Sequence, residues 1–139
     1  MAKIICIDDD QDIIEALEMA LKSGGHTVET AHSGKEGYDK AKIFNPDMIV
    51  LDVMMDDDTD GFHTAYKFRK EPNLKFKPIL MLTSINQITG LGFSKKKGGE
   101  FLPVDEFIDK PIEPKILLEL VKKLLALPKD KINVGGDNA

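Results

Sequence analysis

Apolar residues follow two rhythms along this chain. In one they run consecutively: Ile4-Ile5-Cys6-Ile7, Met48-Ile49-Val50-Leu51 and Ile79-Leu80-Met81-Leu82. Unbroken runs of this length, rich in β-branched residues, predict strands buried on both faces, as in a parallel sheet covered on either side. Val104 to Ile108 reads as a further strand, and Thr27 to Ala31 as a weaker one, apolar only at Val28 and Ala31. In the other rhythm apolar residues return every three or four positions, the mark of an amphipathic helix. Gln11 to Ser23 shows it at Ile13, Ile14, Leu17, Ala20 and Leu21, with Asp10 as the cap and Gly24-Gly25 as the stop. Lys35 to Phe44 is a second helix, introduced by Ser33-Gly34 and stopped by Asn45-Pro46. Phe62 to Lys70 is a third, ended by Pro72. Pro114 to Leu127 is the last, with proline in its first turn and a stripe of Ile116, Leu117, Leu120, Val121, Leu124 and Leu125.

Strands alternating with helices predict an α/β fold: a doubly wound parallel sheet with right-handed crossovers and helices on both faces. Ile85 to Pro103 breaks the alternation. It carries Gly90, Gly92, Gly98 and Gly99 and no sustained helical spacing, so a full helix is not expected there. Residues 1–127 form one domain, and 128–139 read as a polar, flexible tail.

Composition narrows the function. The chain has 139 residues, 42% hydrophobic and 31% charged, which suits one globular domain. A net charge of −5 and the lack of a basic face argue against nucleic acid as a partner. Lys95-Lys96-Lys97 reads as a solvated loop. No run is long enough to span a membrane and the start is not a signal peptide, so a cytoplasmic location is expected. The single cysteine, Cys6, lies in an apolar run and reads as a small buried hydrophobe.

The chemistry sits where the apolar runs end. Asp8-Asp9 closes the first and Asp52 the second. Aspartate is a poor strand residue and costly to bury unpaired, so repeated acidic endings need a reason. Parallel strands all end at one edge, where open α/β sheets bind their ligands. Asp8, Asp9, Asp52, Thr83 and Lys110 therefore gather at one surface. Clustered carboxylates suit a hard divalent cation, most simply Mg²⁺. A hydroxyl and an ammonium suit phosphoryl oxygens, and one carboxylate can itself be the nucleophile. The plainer reading, helix cap or turn acid, fits Asp10 well and the other three poorly. Thr83 and Lys110 gain functional meaning only beside the acids. Asp56, Asp58 and Asp60-Gly61 match the first half of a calcium loop, but its twelfth position is Lys67 rather than glutamate, so a solvated acidic turn is expected. His26, His32 and His63 show no ligand spacing.

Five motifs together resemble the receiver domain of bacterial two-component response regulators: Ile7-Asp8-Asp9-Asp10, Leu51-Asp52-Val53-Met54-Met55, Asp60-Gly61, Leu82-Thr83-Ser84 and Asp109-Lys110-Pro111. The resemblance spans nearly the whole chain. It implies a five-stranded flavodoxin-like sheet in order 2-1-3-4-5. It implies Asp52 as phosphoacceptor, served by a histidine kinase or phosphotransfer protein. By the same resemblance Asp8, Asp9, Asp52 and the Met54 carbonyl hold Mg²⁺, Thr83 is the switch hydroxyl and Lys110 pairs with the phosphoryl oxygens. Phe107 occupies the aromatic switch position, and Pro111 follows a cis peptide that helps aim the lysine.

The chain departs from the family in two places. The loop after Met55 lacks the usual proline and is one residue longer. Ile85 to Pro103 replaces the usual fourth helix, so a remodelled signalling surface is expected, mobile until phosphorylation or a partner orders it. By the same resemblance, Met54 and Ile85 hold the two positions that govern water access to the acyl phosphate in this family. Both are apolar, which implies slow self-dephosphorylation. The expected protein is a stand-alone receiver that is not an enzyme beyond its own phosphotransfer. It signals to an unidentified downstream protein, and the last strand and helix offer a face for docking or a homodimer. Two other classes are a Mg²⁺ phosphohydrolase, disfavoured because Met54 stands where such enzymes carry a second acid, and a phosphorylation-independent adaptor, disfavoured by the intact acids.

Overall fold

Three central strands carry the molecule, and each is buried along nearly its whole length. In the computed structural model, which describes residues 2–53, 61–83, 96–97, 100–101 and 104–132, these are β1 (Lys3–Ile7), β3 (Met48–Asp52) and β4 (Ile79–Thr83). β2 (Thr27–Ala31) and β7 (Glu106–Asp109) flank them, giving a parallel five-stranded sheet in order β2-β1-β3-β4-β7. Counting only the strands of this sheet, that is the expected order 2-1-3-4-5. The register runs Ile7↔Ala31, Ile7↔Leu51, Asp52↔Leu82 and Thr83↔Asp109, so the carboxyl ends of the strands lie along one edge.

Side chains alternate across the sheet and build two cores. Ile4, Cys6, Met48, Val50, Leu80 and Leu82 meet α1 (Gln11–Ser23) and α4 (Pro114–Leu125) on one face. Ile5, Ile7, Ile49, Leu51, Ile79 and Met81 meet α2 (Gly34–Phe44) and α3 (Gly61–Lys70) on the other. Each fully buried Leu, Ile or Phe is worth about 1.5–3 kcal/mol. Cys6 is buried as expected, and burial pushes its thiol well above the usual range.

The helix ends follow local chemistry. The Asp10 carboxylate accepts the Asp12 N–H at 2.9 Å, and Gly24 closes α1. Ser33 caps α2 through the Glu36 N–H, while the Glu36 carboxylate takes the His32 N–H at 2.8 Å. Asn45 ends α2 with φ 53° in the left-handed region. Gly37 lets α2 lie directly on Ile7, where a Cβ would collide with that side chain.

Boundaries differ from the sequence reading at several places. α3 and α2 each begin one residue earlier, and α4 stops at Leu125. The last sheet strand starts at Glu106 rather than Val104, and the residue before it, Asp105, donates its backbone N–H to the Ile79 carbonyl at 2.9 Å. The Asp105 carboxylate accepts the Ile79 N–H at 2.8 Å and the Arg69 Nη2 donor at 2.8 Å. Arg69 Nη1 donates to the carbonyls of Lys75 and Lys77 at 3.0 and 2.7 Å, and both charged side chains are 2% exposed. This ion pair locks the edge of the sheet opposite the acids.

Within the segment expected to lack a full helix, β5 (Lys96–Lys97) and β6 (Glu100–Phe101) form a two-stranded antiparallel sheet. The rest of Ile85 to Pro103 lies outside the described residues, as do Met54, Ile85 and the acidic turn of Asp56, Asp58 and Asp60. Of the expected tail, residues 129–131 form a 3-10 turn and Ile132 is 6% exposed; 133–139 are not described.

Candidate functional site

The neighbours β1 and β3 are connected over opposite faces of the sheet, which opens a crevice at their carboxyl ends. Asp8 follows β1 and is fully buried; Asp52 ends β3 and is 2% exposed. Asp9 is half-buried. One carboxylate oxygen from each of the three lies within 4.8 Å of the others. Lys110, just past β7, crosses to them: its Nζ is 3.1 Å from Asp52 Oδ1 and 3.3 Å from Asp8 Oδ2. The Lys110-Pro111 peptide is cis, as expected. The chain is held in place around the site by Lys110 N–H to Thr83 O at 2.7 Å and Val53 N–H to Leu82 O at 3.0 Å.

Gly61 closes the site from below. Its N–H donates to Val53 O at 2.8 Å, and a Cβ would strike the Asp52 carbonyl and lie 2.8 Å from Val53 Cα. Only glycine lets α3 start this close to the strand that carries Asp52. Thr83 is fully buried at the end of β4, and its hydroxyl donates to Asp109 Oδ1 at 3.2 Å. Phe107 pairs with Met81 in register and packs half-buried against the second core. The structure thus gathers Asp8, Asp9, Asp52 and Lys110, with Thr83 one strand further on.

Charge in this pocket is unbalanced. Three carboxylates face one described ammonium, Lys110, an excess of two negative charges when all are ionised. Burial pushes the Asp8 carboxyl up, against the Asp10 N–H that its Oδ1 accepts and the charge of Lys110. Burial alone would lower Lys110, but Asp52 and Asp8 outweigh it and hold the ammonium above its usual range. Lys110 stands at ion-pair distance from Asp8 Oδ2, an oxygen buried in this pocket.

These residues fit Mg²⁺. The ion takes oxygen ligands at about 2.1 Å in an octahedron, whose ligands stand about 3–4 Å apart. The donor set is all carboxylate, and one oxygen from each of the three acids lies within 4.8 Å of the others, close to that spacing. Asp8→Asn is therefore expected to be more stable than wild type in metal-free buffer at neutral pH, because it removes a buried charge. Adding Mg²⁺ should reverse the order: at a hundredfold excess over Kd the wild type gains about 2.7 kcal/mol and the variant far less. Thermal melts with EDTA or Mg²⁺ check both signs.

Two contributors escaped the sequence reading. Asp109 appeared there only as part of a motif, and Gly61 only as the partner of Asp60. The signal for Gly61 was present, a glycine opening a helix directly after an acidic turn. Nothing local marked Asp109 as a partner of Thr83, 26 residues away.

Residues 4–122 match the profile of the response regulator receiver domain. The chain is 37% identical over 123 residues to the alkaline phosphatase synthesis transcriptional regulatory protein PhoP of Bacillus subtilis (strain 168), covering 88% of this chain and 48% of that one. It spans about half the length of the first curated relatives it matches. Among solved structures, the chemotaxis response regulator CheY4 of Vibrio cholerae is 31% identical with a TM-score of 0.77, over 89% of this chain and 98% of that one. The receiver domain of sensor histidine kinase PA1611 from Pseudomonas aeruginosa PAO1, solved with a magnesium ion in its active site cleft, shares the fold at 19% identity, TM-score 0.77, over 91% and 98%.

Proposed function

The chain belongs to the response regulator receiver domain family, and on that premise we propose that Asp52 accepts a phosphoryl group from phosphohistidine. Receiver domains are signalling modules that bind Mg²⁺ and work with histidine kinases or phosphotransfer proteins. The observation that carries the assignment to Asp52 is its position at the end of β3, buried, between Asp8 and the Lys110 ammonium. Asp8, Asp9, Asp52 and the Met54 carbonyl would hold Mg²⁺, which when bound neutralises charge on the phosphoryl oxygens.

The remaining chemistry belongs to the chain. An Asp52 carboxylate oxygen attacks phosphorus, the P–N bond to the donor imidazole breaks, and an acyl phosphate forms on Asp52. Lys110, held charged by its two acids, offers an ammonium to the new phosphoryl oxygens. The Thr83 hydroxyl turns toward the phosphate, and Phe107 shifts on the strand beside it. The signal passes through protein–protein contacts, and the cytoplasm is the compartment we assign.

Incubation with acetyl phosphate and Mg²⁺, followed by intact mass, tests this reading. One added phosphoryl group is expected on the wild type; none would overturn it. We further expect slow loss of that group, since Met54 and Ile85 cannot orient an attacking water. Decay within seconds in a mass time course would refute the slow step alone.

A further inference from the structure

We infer that Asp109 is a latch that holds the Thr83 hydroxyl away from the phosphoryl site in the resting protein. The inference rests on the phosphoacceptor reading above and adds a positioning residue to it. A threonine hydroxyl has a single proton to donate. Here it is spent on Asp109 Oδ1 at 3.2 Å, although Thr83 is fully buried at the edge where the acids gather.

The sheet makes this contact local and switchable. Thr83 and Asp109 are register partners on the parallel neighbours β4 and β7, so their side chains meet without any main-chain adjustment. The adjacent backbone is fixed by the Lys110 N–H to Thr83 O bond at 2.7 Å. Rotation about the Thr83 Cα–Cβ bond is then the simple way to release the hydroxyl. Successive residues on a strand face opposite ways. Asp109 can therefore serve Thr83 while its neighbour Lys110 serves Asp8 and Asp52. The bond is longer than the usual O–H···O range of about 2.5–3.0 Å and Asp109 is exposed, so it is weak enough to yield. A phosphoryl group on Asp52 competes for the same proton with more oxygens and more charge. Phosphorylation must therefore break the latch, and the latch biases the protein toward the resting state.

The test uses Asp109→Ala, Thr83→Ala and the double variant, with beryllofluoride and Mg²⁺ as the phosphoryl probe, titrated by calorimetry. Losing a competing hydrogen bond of about 1 kcal/mol should tighten probe binding by Asp109→Ala about fivefold. In the Thr83→Ala background the same change should give no gain. An equal gain in both backgrounds would mean that Asp109 acts by charge alone, and no gain in either would mean that it does not act; each overturns the latch. A second readout needs no ligand. Three-bond couplings of the Thr83 methyl should report one rotamer in the free wild type and averaging in Asp109→Ala; identical couplings sink the latch. A wild type that binds no beryllofluoride sinks the phosphoacceptor reading, while the rotamer measurement still decides whether Asp109 restrains Thr83.

Discussion

Asp52→Asn is expected to take up no phosphoryl group from acetyl phosphate and Mg²⁺, while folding as the wild type does. The amide is not a nucleophile at phosphorus, so the loss should be complete rather than partial. The neighbouring acids are poor substitutes. Asp8 is fully buried, with one oxygen on the Asp10 N–H and the other facing Lys110. Asp9 lies outside the strand that aims Asp52 into the pocket. Folding should survive, because the variant removes one of three crowded carboxylates and leaves Lys110 its pair with Asp8. Intact mass and a thermal melt, run side by side, decide both halves. Phosphate on the variant would move the acceptor to Asp8 or Asp9.

Arg69→Met is expected to cost about 3–5 kcal/mol of folding stability, the usual penalty for removing one member of a buried ion pair. Asp105 would be left at 2% side-chain exposure with the Ile79 N–H still bound but the guanidinium gone. The carbonyls of Lys75 and Lys77 would lose their donor as well. Domains of this size have about 5–15 kcal/mol in total, so the effect should be plain in a urea titration. Burial already lowers the Arg69 pKa against the pull of Asp105, a sign of how much desolvation the pair must offset. Replacing both partners with apolar residues, Arg69→Met with Asp105→Leu, should therefore recover much of the loss. A double variant no better than the single one would show that the pair itself, not the stranded charge, holds this end.

Physical scale separates what the sequence disclosed from what it hid. The three central strands were legible because burial on both faces leaves an unbroken apolar run, as in Ile79 to Leu82. Helix ends were legible because capping is local: Asp10, Ser33 and Gly24 act within four residues of where they stand. The acid cluster was legible because one topological fact, parallel strands, sends Asp8 and Asp52 to a common edge. Contacts that depend on register were not. Arg69 shares the buried side of α3 with Ala65 and Phe68, so its spacing hinted at burial, but its partner lies 36 residues away. That partner also ties itself to the first residue of β4 twice, through its backbone N–H and through its carboxylate. Thr83 with Asp109 is the same kind of contact, invisible until β4 and β7 are laid side by side.

Lys129, in the 3-10 turn after α4, places its ammonium over the Phe76 ring, 5.7 Å from the centroid. Phe76 precedes β4, so this contact brings the chain to the end of the sheet away from the acids. A fluorophore attached at the exposed Lys131 would thus sit on the side of the molecule away from the acids. Phosphotransfer kinetics of a sample labelled there should match those of the unlabelled protein, which makes this turn the practical handle for following it in single-molecule work.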